Sequence, residues 1–265
     1  MKNNLQLPTT AFKKIMIGVL ARDEVNGLRE TVEALAELLP ADDVEKIVMY
    51  LAPHATHECI EMAKSLEKTV TRIETEMLLQ KTWEPVQEYV EYYKNKTLSS
   101  HLLMISADLE IPPKAVMQML ETAKENPNAL VSLTRWKKGG SFEGYPVWQL
   151  PLQWIFQQVV RVMYGANFAT DATAGYGAFP LKIGFGLNLR EKRQAVFLEY
   201  KLCMLRLKMP LIEIPVEYHA RREGKSTSGF WHKVRYLVPL IRVRFTPRRK
   251  LFRFEDYSLP TDTTN

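Results

Sequence analysis

Short apolar runs alternate with amphipathic stretches along the first half of this chain. Lys14 to Leu20 is an apolar run of strand length, and after it Val25, Leu28, Val32, Leu35 and Leu39 recur at helical spacing, which predicts a helix over 23–39. The same reading predicts a strand over 45–51, a helix over 54–66 and a short strand over 69–73. Thr82 is placed to cap a helix running to about Lys94. A strand follows over 101–106. The Pro112-Pro113 pair then opens a helix through Lys124, because a first turn tolerates proline, and Ala129 to Leu133 is the next strand. Strands and helices in alternation with short connections imply an α/β domain with a mostly parallel sheet and right-handed crossovers. Beyond residue 135 the rhythm changes. A long helical stretch over 147–164, a strand over 174–180, a helix over 194–208 and a strand over 211–218 are expected.

The chain's 265 residues can bury one large core. Cys59 and Cys203, its two cysteines, fall inside predicted helices, a reduced, cytoplasmic usage with no disulfide framework. The first residues lack the apolar core of a signal peptide, and no apolar run approaches the roughly 18 residues that a membrane span requires. The expectation is a cytoplasmic protein, free or peripheral on the membrane face. Charge placement sharpens this. Residues 219–254 carry eleven Lys and Arg against Glu223 alone, so a segment of +10 sits in a chain of net charge +6 and the remainder is net acidic. Phe230, Trp231, Phe245 and Phe252 interleave with these cations, a mixture suited to an anionic membrane surface. A nucleic-acid tail competes, but no binding motif accompanies it and no nucleic-acid partner is expected. A third reading is a terminal helix packed on the domain with its basic face in water.

Candidate chemistry centres on His101 to Pro113, where an apolar run ends in Asp108 and Glu110. Residues two apart at a strand end point the same way, so the two carboxylates can converge on one cation. Two hard oxygen ligands with room for water and phosphate suit Mg²⁺ or Mn²⁺. The C-terminal end of a parallel strand is also where open α/β sheets place ligands. The plainer reading of an isolated D-x-E is a solvated acidic loop.

Further segments shift the balance. Ser106-Ala-Asp-Leu-Glu-Ile-Pro-Pro113 resembles the D-A-D-L-Q-x-P-P metal motif of family 2 glycosyltransferases of the dolichyl- or polyprenyl-phosphate mannosyltransferase type. In the same order, Leu133 to Gly140 is similar to G-S-R-Y-x-x-G-G, and Asp171 to Tyr176 to D-x-T-S-G-F. Phe197-Leu-Glu199 with Ile212 to Tyr218 resembles F-x-x-E…E-V-P-I-x-F, and Arg221 to Ser226 resembles R-x-x-G-x-S-K. The resemblance spans roughly 14–236, and ordered motifs are more specific together than singly.

The resemblance implies a GT-A-like single domain over 1–245, with a nucleotide-sugar half (14–134) and an acceptor half (135–228), followed by a basic aromatic tail (229–265). It implies a metal-dependent hexosyltransferase that moves sugar from a nucleotide-sugar to a polyprenyl or dolichyl phosphate or another acceptor. Asp108 and Glu110 would hold Mg²⁺ or Mn²⁺. Leu20, Asp23, Glu24, Ala107 and Asp108 would bind the donor, and Arg135, Arg221, Lys225 and Ser226 the acceptor phosphate. Asp108, Arg135 and Asp171 are the catalytic candidates, Asp171 serving as base if the acceptor is a hydroxyl. The chain departs from the pattern at Ser106, which stands in place of an Asp, and at Leu51-Ala-Pro-His54, where an acidic pair would touch the donor's base. Gln149 and Gln153 replace Arg and Ser, and Thr227 replaces Lys.

Each residue has a plainer reading. Arg135 fits a surface strand end, Asp171 a turn cap and Glu199 a buried partner for an arginine. His54 and His57 lack the companions a zinc site needs. The departures leave a catalytically silent module of the same fold, binding membrane or a partner protein, as the rival. A sugar-phosphate nucleotidyltransferase is a second rival, although no glycine-rich phosphate loop follows the first strand.

Overall fold

A computed structural model describes residues 7–81, 88, 91–93, 96–165, 169–192, 195–220 and 235–253. Among them, the sheet begins with β1 (Ile15–Ala21), followed by α1 (Val25–Leu38), β2 (Val44–Leu51), α2 (His57–Thr69) and β3 (Glu74–Leu79). The chain then forms β4 (His101–Ser106), α3 (Pro113–Glu125) and β5 (Leu130–Thr134). Seven strands lie in the order β3-β2-β1-β4-β7-β5-β8, with β7 (Gly177–Pro180) antiparallel to β4 and β5 and the other pairs parallel. The α/β, mostly parallel architecture expected from the sequence is present.

Side chains alternate across the sheet with period two, and this sets up two cores. Ile15, Ile17 and Val19 face α1, α2 and α3, together with Leu103, Ile105 and Leu133. Met16, Val48, Tyr50, Leu102 and Met104 face the other way, against α6 (Ala195–Arg206). Buried on both faces, β1, β2 and β4 read as continuous apolar runs, and for these strands the sequence boundaries fall within a residue of the observed ones.

The differences have local causes. Helix α2 starts at His57 because the residues from Ala52 to Ala55 form a turn, and Thr56 caps the helix through Oγ1 to the Cys59 N–H at 3.3 Å. The third strand lies at 74–79 rather than 69–73. It is a half-exposed edge strand whose Glu74 and Glu76 pair with Lys46 at 2.8 and 3.0 Å, so no apolar run marks it. The strand expected over 211–218 divides into β8 (Leu211–Pro215), paired with β5, and β9 (Glu217–Tyr218), paired with β6 (Ser141–Phe142) in a second small sheet. Val216 is the join, its N–H on Thr134 and its carbonyl on Ser141. The strand expected from 174 begins at Gly177, because Asp171 to Ala174 are held in a polar turn. The helical stretch over 147–164 is a 3₁₀ turn (Val147–Gln149) followed by α4 (Leu150–Tyr164).

The basic segment is packed where it is described. After β7 come α5 (Leu181–Gly186) and α6, and near the end α7 (Leu237–Phe245) and α8 (Arg248–Leu251). Pro239, Leu240 and Val243 of α7 are buried with Leu251 and Phe252. Arg242 pairs with Glu199 at 2.6 Å and with Glu191 at 2.7 Å, so Glu199 is the buried partner of an arginine. Pro239 sits in the first turn of α7, and Pro247 separates α7 from α8, so among the described residues this stretch is two short helices.

Candidate functional site

Running outward from β1, the chain goes to β2 and β3 on one side and to β4 on the other, so the order reverses between β1 and β4. Open α/β sheets bind ligands in the crevice at the carboxyl ends of such strands. The Ala107 N–H donates to the Leu20 carbonyl at 2.8 Å, locking the two strand ends together. Helix α1 starts against the same turn. A Cβ at Gly27 would stand 2.1 Å from the Ala107 carbonyl oxygen, so only glycine allows this approach. The expected donor residues Leu20, Asp23, Glu24, Ala107 and Asp108 therefore share one end of the sheet.

This end is rich in carboxylates. Glu24 is buried and accepts the Arg22 N–H at 2.8 Å and the Asp23 N–H at 3.2 Å. Burial raises its pKa, and the neighbouring charges of Asp23 and Asp108 add to the rise against those two hydrogen bonds. Asp23 binds Arg22 at 2.8 Å through Oδ2, while its Oδ1 is buried with no hydrogen-bond partner among the described residues. An orphaned carboxylate oxygen beside a carboxylate disfavoured by burial and by its acidic neighbours fits a site completed by a cation or a donor hydroxyl.

Asp108 and Glu110 depart from the expected geometry. Strand β4 stops at Ser106, and both carboxylates lie in the following turn, where Leu109 has φ 57°. Strand alternation therefore does not align them. Asp108 is nearly buried, and its Oδ1 accepts the Glu110 N–H at 3.3 Å. Glu110 accepts the Tyr218 hydroxyl through Oε2, and its carbonyl accepts the His219 N–H at 2.9 Å. Among the described residues, no three His, Cys, Asp or Glu side chains converge as a metal cluster. Hard oxygens from one or two side chains are still what Mg²⁺ or Mn²⁺ takes when a diphosphate supplies the rest, so this donor set fits such an ion.

The second half of the site is a closed polar network. At the end of β5, Arg135 grips Asp171 bidentately, Nε to Oδ2 at 2.7 Å and Nη2 to Oδ1 at 2.9 Å, and Nη2 also reaches Thr173 at 2.9 Å. Phe142, Tyr145 and Tyr218 stand around the guanidinium at 5.1, 5.9 and 5.3 Å. Gly140 lets the loop curl back, since a Cβ there would come within 2.7 Å of the Arg135 carbonyl. Burial alone would raise the Asp171 pKa, but Arg135 and Lys201 outweigh it and bring the carboxyl down to about 2. Lys201, fully buried on α6, donates to the Asp171 carbonyl at 3.0 Å and the Ala174 carbonyl at 2.5 Å. Burial lowers its pKa to about 8 despite the attraction of Asp171 and Glu213. Glu213 accepts the backbone N–H groups of Thr170 and Asp171 at 2.8 and 3.1 Å.

Gln153 and Gln157 project from α4 into the network. Gln153 donates to the Tyr145 hydroxyl at 2.7 Å and accepts from Thr173 at 3.2 Å, while Gln157 accepts the Ala172 N–H at 2.9 Å. Tyr218 joins the two halves, its hydroxyl on Glu110 and its ring against Arg135. Sequence reading missed Lys201, Glu213, Tyr145 and Tyr218. A lysine inside the apolar run of α6 was a signal for the first, and Glu213 and Tyr218 lie in the matched segment Ile212 to Tyr218 without having been assigned a role. Arg221, Lys225 and Ser226, expected to bind the acceptor phosphate, lie outside the described residues.

No protein-family model and no curated protein sequence matches the chain. Solved structures do. The chain is similar to glucosyl-3-phosphoglycerate synthase from Mycobacterium tuberculosis in complex with Mn²⁺, UDP-glucose and phosphoglyceric acid, with a TM-score of 0.64 and 11% identity over 89% of this chain and 81% of that one. The same synthase with Mg²⁺ and UDP gives a TM-score of 0.65 and 14% identity over 89% and 80%. A crystal structure described only as a mycobacterial protein gives 0.66 and 11% over 89% and 76%. At these identities the likeness is one of fold, and the fold is GT-A-like.

Proposed function

We propose that this chain is a metal-dependent glycosyltransferase that takes a nucleotide-sugar and delivers the sugar to an acceptor bearing a phosphate, a polyprenyl or dolichyl phosphate in the reading the sequence motifs favour. The observation that carries it is the gathering of Asp23, Glu24 and Asp108 at the switch between β1 and β4, with the orphaned Asp23 oxygen among them. Asp108, with Glu110 beside it, would hold Mg²⁺ or Mn²⁺, which when bound neutralises charge developing on a departing diphosphate. Glu110 would then share its carboxylate between the ion and Tyr218. Asp23 and Glu24 would take donor hydroxyls.

On the acceptor side, Asp171 is an anchor in this reading and not the base that its linear order suggests. Both its oxygens are hydrogen-bonded and its pKa is lowered to about 2, so it is a weak proton acceptor. A phosphate acceptor needs no base, being ionised already. Arg135 is held rigidly through Nε and Nη2, and its Nη1 edge is the one not engaged by Asp171 or Thr173. Arg221, Lys225 and Ser226 would complete the anion site. UDP-glucose and phosphoglyceric acid in the structurally similar synthase are compatible with a sugar donor and an anionic acceptor here.

A panel of nucleotide-sugars with and without Mn²⁺, read by thermal shift, tests the proposal. One donor should stabilise the protein only with metal, by about 2.7 kcal/mol at a hundredfold excess over Kd, and Asp108→Asn should abolish that gain. A gain that persists in the variant removes Asp108 from the site. No stabilisation by any donor favours the silent module, which the apolar residues at Leu51-Ala52-Pro53 also support.

A further inference from the structure

Helix α4 is apolar on both sides: Val160 is buried, Phe156, Met163 and Tyr164 pack against the core, and a second apolar stripe faces outward. Its two buried residues are Gln157 and Val160, whereas Leu152, Ile155, Val159 and Val162 are exposed. With Trp148 from the preceding 3₁₀ turn these fall at spacings of four and three, so they form one stripe along the helix. Exposure reaches 69% at Trp148 and 86% at Val162.

Helix α7 lies against α4. The Tyr164 hydroxyl donates to the Leu240 carbonyl at 2.7 Å, and Arg244 Nε donates to the Met163 carbonyl at 2.5 Å. α7 likewise leaves Leu237, Val238, Ile241 and Phe245 exposed, Phe245 at 76%. Two neighbouring helices thus present large apolar side chains to the outside, far more than scattered single exposures account for.

Charge selects the occupant. Neither α4 nor residues 235–253 contain an acidic residue, while 235–253 carry seven Lys and Arg, of which Arg235, Arg249, Lys250 and Arg253 are exposed. Arg235 precedes Leu237 by two residues, and Arg249 and Lys250 follow Phe245 by four and five, so a second copy docked here would bring like charges together, which opposes self-association even though the α4 stripe has helix-pairing periodicity. An anionic lipid surface satisfies both features, with apolar side chains entering the acyl boundary and cations meeting headgroups.

We infer that α4 and α7 together form a docking face for an anionic lipid bilayer. The face is joined to the site: the opposite side of α4 carries Gln153 and Gln157, which hold Tyr145, Thr173 and Ala172 around Arg135 and Asp171. Docking would therefore present the Arg135 network beside a lipid surface. The inference deepens the lipid-phosphate reading above and rests on it for its purpose, though not for its test.

The test uses the full chain with phosphatidylglycerol-containing and pure phosphatidylcholine vesicles, at low and high salt. Co-sedimentation is expected with the anionic vesicles only, weakening as salt rises. Ile155→Asp with Val162→Asp should lower the bound fraction on the order of tenfold without changing the melting temperature, because both side chains are exposed. Arg249→Glu with Lys250→Glu should also weaken binding, and serves if the first pair misfolds. The inference is overturned if the protein stays in the supernatant with anionic vesicles at low salt, or if both double variants bind undiminished. It is equally overturned if sedimentation velocity without vesicles shows a dimer that Ile155→Asp with Val162→Asp dissolves, since the face then belongs to a second copy. Donor binding, read by thermal shift in vesicle-free buffer, separates the two readings: its loss in the parent protein sinks the transferase and leaves the docking face standing.

Discussion

The two ends of the site handle charge in opposite ways. At the switch between β1 and β4, Asp23 and Asp108 stand near enough to Glu24 to raise its pKa, and Glu110 follows Asp108 in the turn after β4; Arg22 meets Asp23, and one Asp23 oxygen is left buried without a hydrogen-bond partner among the described residues. Across the sheet, Arg135, Asp171, Lys201 and Glu213 interlock, with carboxylates and cations facing each other and the backbone carbonyls of the turn satisfied. An acid-rich end is suited to positive charge or hydroxyls. A balanced, buried network is a scaffold, and its cost when broken is structural. In the proposed reading the first end would recognise the donor and metal, and the second would hold Arg135 rigid for the acceptor.

The sharpest way to break this comparison is Asp171→Ala. It strands Arg135 and Lys201 in a dry site, and removing one partner of a buried pair costs about 3–5 kcal/mol. Urea unfolding should show that loss, whereas Asp108→Asn should leave the unfolding midpoint without ligand nearly unchanged. Comparable destabilisation by both would erase the distinction between scaffold and receptor.

The opposite end of β4 gives a second contrast, because there a buried group titrates. His101 is fully buried, its Nε2 2.9 Å from the Pro127 carbonyl and its Nδ1 2.8 Å from Ser100 Oγ. Burial lowers its pKa to about 4, only partly opposed by the Pro127 contact. The unfolded chain therefore takes up this proton first as pH falls below about 6.5, and the folded protein loses stability through the window down to about 4. A decline on the order of 2 kcal/mol between pH 7 and 4.5 is expected, and His101→Gln should flatten it. Asp171 contributes only below that window, where its stabilisation, present above about pH 3.9, is lost as pH falls towards 2. A variant with an unchanged slope would place the acid-sensitive group elsewhere.

Tyr218→Phe probes the link between the two ends and has the smallest expected effect. It deletes the hydroxyl on Glu110 while keeping the ring beside Arg135, so stability should fall by only about 0.5–1.5 kcal/mol. If Glu110 shares itself between Tyr218 and a metal ion, the variant should bind Mn²⁺ in the presence of nucleotide at least as tightly as the parent. Weakened metal binding would instead make Tyr218 a support that Glu110 requires.

Sequence alone determined most of the layered fold and the acid-rich end of the sheet. Strands buried on both faces must be continuous apolar runs, so β1, β2 and β4 announced themselves, and the residues that follow two of them supplied Asp23, Glu24, Asp108 and Glu110 directly. It failed at β3, whose half-exposed edge position needs no apolar run, and at Val216, where one apparent strand serves two sheets. Tertiary structure alone decided the rest. Arg135 and Asp171 are 36 positions apart, and Tyr218 and Glu110 are 108 apart, so no local pattern could disclose those contacts. The same holds for the apolar stripe of α4. The helix has apolar positions on both sides, and which of them face the body is decided by packing: Phe156, Val160, Met163 and Tyr164 turn inward beside Gln153 and Gln157, while Leu152, Ile155, Val159 and Val162 are left outward.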